Sequence, residues 1–305
     1  MKLINPEIRF EVTNMCNAKC IMCPREKMKR RQGVLDLGLY KRILGEAIAG
    51  GAKQVSLENY GESFLDPYIF KRAEYAKSRG LEVYTITNGS LFNQENCRKA
   101  LDLFDKIRIS MYAVTKQTYE IMHRGLVFEE VKANVTRLFQ MRQRHHSDLK
   151  IEMYFLLMQE NRREMDSFLK EYQNLADAIS VWKPHNWGDG RAYRKLVGAK
   201  SSCNRPFVGP VQVQWDGLVV PCCFDYDSRI VLGDLNKETL HDVLDSERYN
   251  ELRQAHRKGN FFKFPFCNAC DQLHKQEDVL VYTTIKSCKV GATNTNYFNL
   301  VTDGK

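Results

Sequence analysis

The chain has 305 residues, a formal net charge of +9 and ten cysteines. The length suits one large domain, or a moderate one with an appendage. At 43% hydrophobic and 27% charged residues, the composition excludes a disordered chain. No apolar run approaches the ~18 residues of a membrane span. MKLINPEIRF lacks the apolar core and cleavage site of a secretory signal, so the expected compartment is the cytoplasm. Structural disulfides are rare there, and ten cysteines then point to metal or cluster ligation.

In chain order, residues 7–12 (EIRFEV) alternate as a strand and lead into a cysteine-rich loop at 13–33. A helix over 35–51 stops on glycines. A strand at 53–59, a helix at 66–80, a strand at 81–87, a helix at 93–104 and a strand at 106–112 follow. A longer helix at 128–146, a strand at 149–157, a helix around 161–175 and a strand at 177–183 complete six strand–helix units. Repeated crossovers of this kind enforce parallel strands. The expected fold is therefore α/β, a partial (βα)6 barrel of the TIM type lacking two units.

The pattern changes after residue 184. A Gly-, Pro- and Asn-punctuated linker precedes VQVQWDGLVVPCC (211–223), which reads as a β-hairpin turning at Asp216-Gly217. A helix near 238–256 and a cysteine-bearing loop follow. The expected organisation is a barrel at 1–190, a small α+β domain at 191–275 and a C-terminal tail at 276–305.

The basic runs at 25–31 and 142–146 read as a solvated loop and helix face, or as an attraction for an anionic substrate. No arginine–aromatic interleave, zinc-finger spacing or RNP-like motif accompanies them, so nucleic acid is not an expected partner.

Cys16, Cys20 and Cys23 form C-x3-C-x2-C in the loop after the first strand. Three thiolates can hold three irons of a cubane and leave the fourth open, whereas structural zinc wants four closed ligands. Cys203, Cys222, Cys267 and Cys270 form a second set, and the hairpin brings Cys222 back toward Cys203. Four thiolates with one C-x2-C pair suit a four-cysteine zinc site or a fully ligated 4Fe–4S cluster equally.

The triplet, in its place after the first strand, resembles the signature of the radical S-adenosylmethionine (SAM) superfamily, and the resemblance covers residues 7–185. Tyr60-Gly61-Glu62 stands where that family usually carries Gly-Gly-Glu to bind the methionine amine of SAM. Thr87-Asn88-Gly89 and Ser110 stand where it places polar groups near the ribose and carboxylate. Met22 takes the position beside the adenine. The second cysteine set resembles the SPASM/twitch extension of such enzymes, which implies an auxiliary 4Fe–4S cluster. Gln276 and Leu280 replace the further cysteines of the full SPASM pattern, which favours the shorter twitch form.

The resemblance implies that SAM chelates the open iron and is cleaved reductively to a 5′-deoxyadenosyl radical, which abstracts hydrogen from the substrate. A flavodoxin- or ferredoxin-type donor would supply the electron. The cofactor carries this chemistry, while the protein orients the substrate and excludes water. The expected substrate is a small polar molecule (a sugar, aminocyclitol or sugar conjugate), with an anionic one compatible with the basic charge. Dehydrogenation and epimerisation are both open. His185 and Asp189 are candidate bases or hydrogen-bond donors, Trp187 a stacking surface for a sugar, and Arg124 an anion contact. Cys223 and Cys288 are candidate hydrogen-atom donors, while Cys97 reads as a buried packing residue. Alternatives are a peptide-modifying maturase, disfavoured by a first strand starting near residue 7, and a non-catalytic electron-transfer protein, disfavoured by an open three-cysteine site.

Overall fold

A computed structural model describes residues 2–193, 195–196, 198–274, 279–287 and 290. Six strands, β1 (Glu7–Phe10), β2 (Gln54–Leu57), β3 (Glu82–Thr87), β4 (Lys106–Ser110), β5 (Lys150–Leu156) and β6 (Ala178–Trp182), pair in that order. All are parallel, as the crossovers require.

The strands alternate, and the two faces differ in chemistry. Ile8, Phe10, Val55, Leu57, Ile107, Ile109, Ile151, Met153 and Phe155 are buried in the main apolar core. Phe10 meets Tyr40 of helix α1 (Leu37–Ala49) edge to face at 4.9 Å. The intervening residues are charged: Glu7, Arg9, Glu58 and Glu152 are also buried, and Arg108 is half-buried. They satisfy one another: Arg9 pairs with Glu7 at 2.8 Å and Glu58 at 3.5 Å, and Arg108 with Glu152 at 2.7 Å. Buried charges persist only when paired in this way.

The crossover helices α2 (Ile69–Ser78), α3 (Gln94–Leu103), α5 (Phe128–Arg144) and α6 (Met165–Tyr172) lie where the sequence placed them. The Asp36 carboxylate caps α1 by accepting from the Leu39 N–H, and the Asn93 side chain caps α3 at Asn96. One helix was not anticipated: α4 (Lys116–Met122), capped by Thr115. It runs directly into His123–Arg124, which pairs antiparallel with Lys19–Cys20 of the cysteine loop.

The C-terminal half joins both edges of this sheet. Strand β7 (Val211–Val213) pairs parallel with β1, and the expected hairpin continues through β8 (Leu218–Val220) to β9 (Gly233–Asp234). Gly217 supplies the positive φ (+86°) of the turn. Beyond residue 276, Leu280–Thr283 forms β10, antiparallel to β6, where the sequence suggested only a tail. The helix expected near 238–256 is two, α8 (Leu240–Asp245) and α9 (Glu247–Lys258), because the Ser246 side chain caps the second. A single short turn, α7 (Arg205–Val208), follows Cys203. No helix among the described residues is long and apolar enough to cross a membrane.

Candidate active site

The polar face of the parallel strands, the cysteine loop and the C-terminal hairpin enclose a cavity of about 350 Å³. Its wall contains Cys16, Cys20, Cys23, Met22, Tyr60, Gly61, Glu62, Asn88, Ser110, His185, Trp187 and Cys223. Every described residue singled out for cluster, SAM or substrate at the barrel mouth is therefore in one place, except Arg124 and Asp189.

Those two are corrections. Arg124 is exposed and does not line the cavity; its neighbour His123 does, because adjacent residues of an extended segment face opposite ways. Asp189 is held in ion pairs with Arg191 at 3.0 Å and Lys27 at 3.5 Å, away from the wall. Arg191 also donates to the Met22 carbonyl at 2.8 Å, so this stretch braces the cysteine loop. The basic run 25–31 is likewise not wholly solvated. Arg30 is bidentate to Glu11 at 2.7 Å and donates to the Tyr226 carbonyl at 2.8 Å, fastening the loop to both halves of the chain. Cys288 and Gln276 lie outside the described residues.

Close packing shapes the SAM-binding segment. A Cβ on Gly61 would lie 2.2 Å from the Thr13 carbonyl oxygen and 2.8 Å from that of Met15, so only glycine lets the cysteine loop pass. The Glu62 N–H donates to the Met15 carbonyl at 2.8 Å. The Glu62 carboxylate accepts from the Thr87 hydroxyl at 2.7 Å and the N–H groups of Asn88 at 2.8 Å and Phe64 at 3.2 Å. It thus ties the ends of β2 and β3 together. Tyr60, in the place of the family's first glycine, donates its hydroxyl to the Cys223 carbonyl. Its ring centroid lies 5.8 Å from Trp187 and 6.1 Å from Tyr226.

Burial pushes the Cys20 thiol up, and Cys23 and Cys16 push it further; burial holds Cys23 at about 11. Three half-buried thiols, with Cys16 raising the proton affinity of both Cys20 and Cys23, fit a cationic centre that would neutralise them together. The second set behaves alike. Cys203, Cys222, Cys267 and Cys270 line one small apolar cavity with Pro206, Phe266 and Leu273. Burial raises each thiol, and Cys222 and Cys203 act in turn on Cys267 and Cys270. An all-sulfur, water-poor donor set is what an iron–sulfur cluster requires. Cys222 faces this cavity while Cys223 faces the larger one, the chain turning between them after β8 ends at Val220. Cys97 is fully buried beneath the Phe92 carbonyl and belongs to the core.

Residues 10–171 match the family model of the radical SAM superfamily. The chain belongs to that superfamily. Residues 203–271 match SPASM, an iron–sulfur cluster-binding domain. These matches make the protein a radical SAM enzyme with a SAM-binding 4Fe–4S cluster, SAM and auxiliary iron–sulfur ligation. The S-adenosyl-L-methionine-dependent 2-deoxy-scyllo-inosamine dehydrogenase of Niallia circulans is 23% identical over 89% of this chain and 94% of its own length. The tungsten-containing aldehyde ferredoxin oxidoreductase cofactor-modifying protein of Pyrococcus furiosus is 22% identical over 86% of each. Among solved structures, BtrN in complex with AdoMet and 2-DOIA superposes with a TM-score of 0.61 at 17% identity, covering 88% of this chain and 94% of BtrN. Streptococcus suis SuiB superposes at 0.66 with 13% identity, covering 88% of this chain and 71% of SuiB. At these identities the structures establish the fold.

The sequence reading missed much of the cavity wall. Arg9, Glu58, Arg108, Tyr154, Lys183 and Arg205 all line it. Burial pushes the Glu58 carboxyl up, against the pull of Arg9. Their signal was present as charges alternating with apolar residues, which is also the pattern of a solvent-facing strand.

Proposed function

We propose that the protein is a SAM-dependent dehydrogenase of a small polar substrate, a sugar, aminocyclitol or sugar conjugate bearing an anionic group. One observation carries this reading: Arg205 and Phe224 belong to the walls of both the large cavity and the four-cysteine cavity. A molecule in the first is thereby one side chain away from the second, the proximity that electron removal needs. The inosamine dehydrogenase, similar along nearly its whole length, supports the same reaction class.

Cys16, Cys20 and Cys23 are assigned to the SAM-binding cluster, and Cys203, Cys222, Cys267 and Cys270 to the auxiliary one. Bound there, the cofactors supply a 5′-deoxyadenosyl radical for hydrogen abstraction and an acceptor for the electron the substrate gives up. Met22, the backbone at Tyr60 and Gly61, Asn88 and Ser110 form the SAM cradle. Glu62 braces that cradle, since its carboxylate oxygens are already taken by the ends of β2 and β3. His185 Nδ1 accepts the Trp187 N–H at 3.0 Å, so the neutral ring carries its proton on Nε2 and serves as a hydrogen-bond donor. Glu58, with its raised proton affinity, is the wall carboxylate suited to take the proton the substrate releases. Arg9, paired with Glu7 and Glu58, and Arg108, paired with Glu152, are the wall cations proposed to meet the substrate's anionic group. Trp187 packs the sugar face. A flavodoxin- or ferredoxin-type protein is the proposed reductant.

A second reading, epimerisation, is favoured by one observation: the Cys223 thiol lines the cavity and could return a hydrogen atom. Cys288 is the other thiol considered for that role. Anaerobic reconstitution with dithionite, SAM and deuterated sugars, aminocyclitols and sugar phosphates tests both. Deuterium in 5′-deoxyadenosine and a product two hydrogens lighter support the dehydrogenase. Solvent deuterium at an inverted carbon, lost in Cys223→Ala, supports the epimerase. No 5′-deoxyadenosine above the Cys16/Cys20/Cys23→Ala variant sinks both. Turnover of a peptide alone moves the protein to the maturases.

A further inference from the structure

His123 is the one histidine in contact with the cysteine triplet among the described residues, and nothing in the function above employs it. Its Nδ1 lies 3.3 Å from Cys20 Sγ. The contact is built by backbone pairing: Cys20 is registered against His123 across the short antiparallel ladder, and the Ile21 N–H donates to the Met122 carbonyl at 3.1 Å. The ring is clamped between Tyr112 and Tyr119, each 4.6 Å away at an interplanar angle of 24°. Only 1% of the residue is exposed, and Nε2 has no hydrogen-bond partner. A ring so held cannot turn away from the sulfur.

We propose that His123 is a positioning residue that donates its Nδ1–H to the Cys20 thiolate and sets the reduction potential of the SAM-binding cluster. The inference rests on the assignment of that cluster to the triplet. As an iron ligand, Cys20 sulfur is an unprotonated acceptor, so a hydrogen bond at this contact must come from the imidazole. That fixes the Nδ1–H tautomer and leaves the Nε2 lone pair facing the interior, in keeping with its lack of a donor. A hydrogen bond to a ligating sulfur withdraws negative charge from it. This stabilises the reduced, more negative cluster over the oxidised one and makes the potential less negative. The stacked tyrosines hold the ring plane, as an outer-shell partner must be held if it is to act on its ligand.

The test is a redox titration of the reconstituted full-length protein, followed by electron paramagnetic resonance. The SAM-binding cluster is identified as the one whose signal changes when SAM is added. His123→Phe keeps the stack and removes the donor, while His123→Asn returns an N–H to nearly the same position. We expect the SAM-binding cluster of His123→Phe to titrate at a more negative potential with the auxiliary cluster unmoved, and His123→Asn to recover most of the shift. Wild-type potentials in an iron-replete His123→Phe protein overturn the proposal. Where His123→Phe fails to retain the triplet's iron, His123→Asn decides. Full iron with a near-native potential upholds the proposal; lost iron or a displaced potential overturns it. A wild-type protein that builds no cluster on Cys16, Cys20 and Cys23 fails the functional assignment instead, and iron analysis shows this before any variant is made.

Discussion

The Tyr60 hydroxyl donates to the Cys223 carbonyl, joining the end of β2 to the C-terminal hairpin across the mouth of the cavity. Tyr60 stands where the family commonly has glycine, so this chain has used that position for a cross-brace. Tyr60→Phe removes one buried hydrogen bond and leaves a carbonyl unsatisfied. A loss of about 1–2 kcal/mol is expected, measured by denaturant unfolding of the holoprotein under anaerobic conditions. Unchanged stability would mean that the brace has no energetic weight.

Gly61→Ala has a different expected outcome, because its Cβ would strike backbone rather than a side chain that can swing aside. The cysteine loop must move away from β2. Iron and sulfide analysis should show selective loss of the triplet's share, about four irons of about eight, with the auxiliary cluster kept. Loss of all iron would show that the clash propagates to the whole chain.

The two cysteine sets are separable on the same assay. Replacing Cys16, Cys20 and Cys23 by alanine, or Cys267 and Cys270, should each remove about four irons per chain. Zinc in place of iron after the first replacement would identify the second set as a zinc site.

The charged interior should show itself in acid. Burial raises the proton affinity of Glu152, but Arg108 and Lys106 outweigh it and hold the carboxyl below its ordinary value. A depressed value means stability that is present above the unfolded pKa of about 4.5 and is lost as pH falls through the folded one. Wild-type denaturation midpoints should therefore drop between about pH 5 and pH 3. Glu152→Gln should be less stable at neutral pH by about 3 kcal/mol, having removed the carboxylate that pairs with Arg108 and Lys106, and flatter across that range. Parallel pH profiles in the two proteins would show that Glu152 does not contribute.

The cysteine spacing and the alternating strands made the superfamily and the barrel legible in the sequence alone. Those signals are local, and local signals survive without coordinates. What escaped depends on which face of a strand looks inward. Arg9, Glu58 and Arg108 alternate with apolar neighbours just as surface residues do, yet in a closing barrel the polar face is the interior. His123 escaped for a related reason. Arg124 drew attention as a charge, and only the pairing of Lys19–Cys20 with His123–Arg124 reveals which of the two side chains turns toward the cluster loop. Asp189 was a reasonable base by position, but its carboxylate is taken by Arg191 and Lys27.

The sheet's two outer pairings bear on how the protein is made. β1 receives its second neighbour, β7, from a segment about 200 residues later in the chain, and β6 receives β10 later still. During synthesis the six-stranded half emerges with both edges unpaired, the state most prone to joining other chains. A fragment ending near residue 190 should accordingly aggregate when expressed alone. The same delay leaves Arg30 of the cysteine loop without the Tyr226 carbonyl it bonds until the C-terminal half has been made.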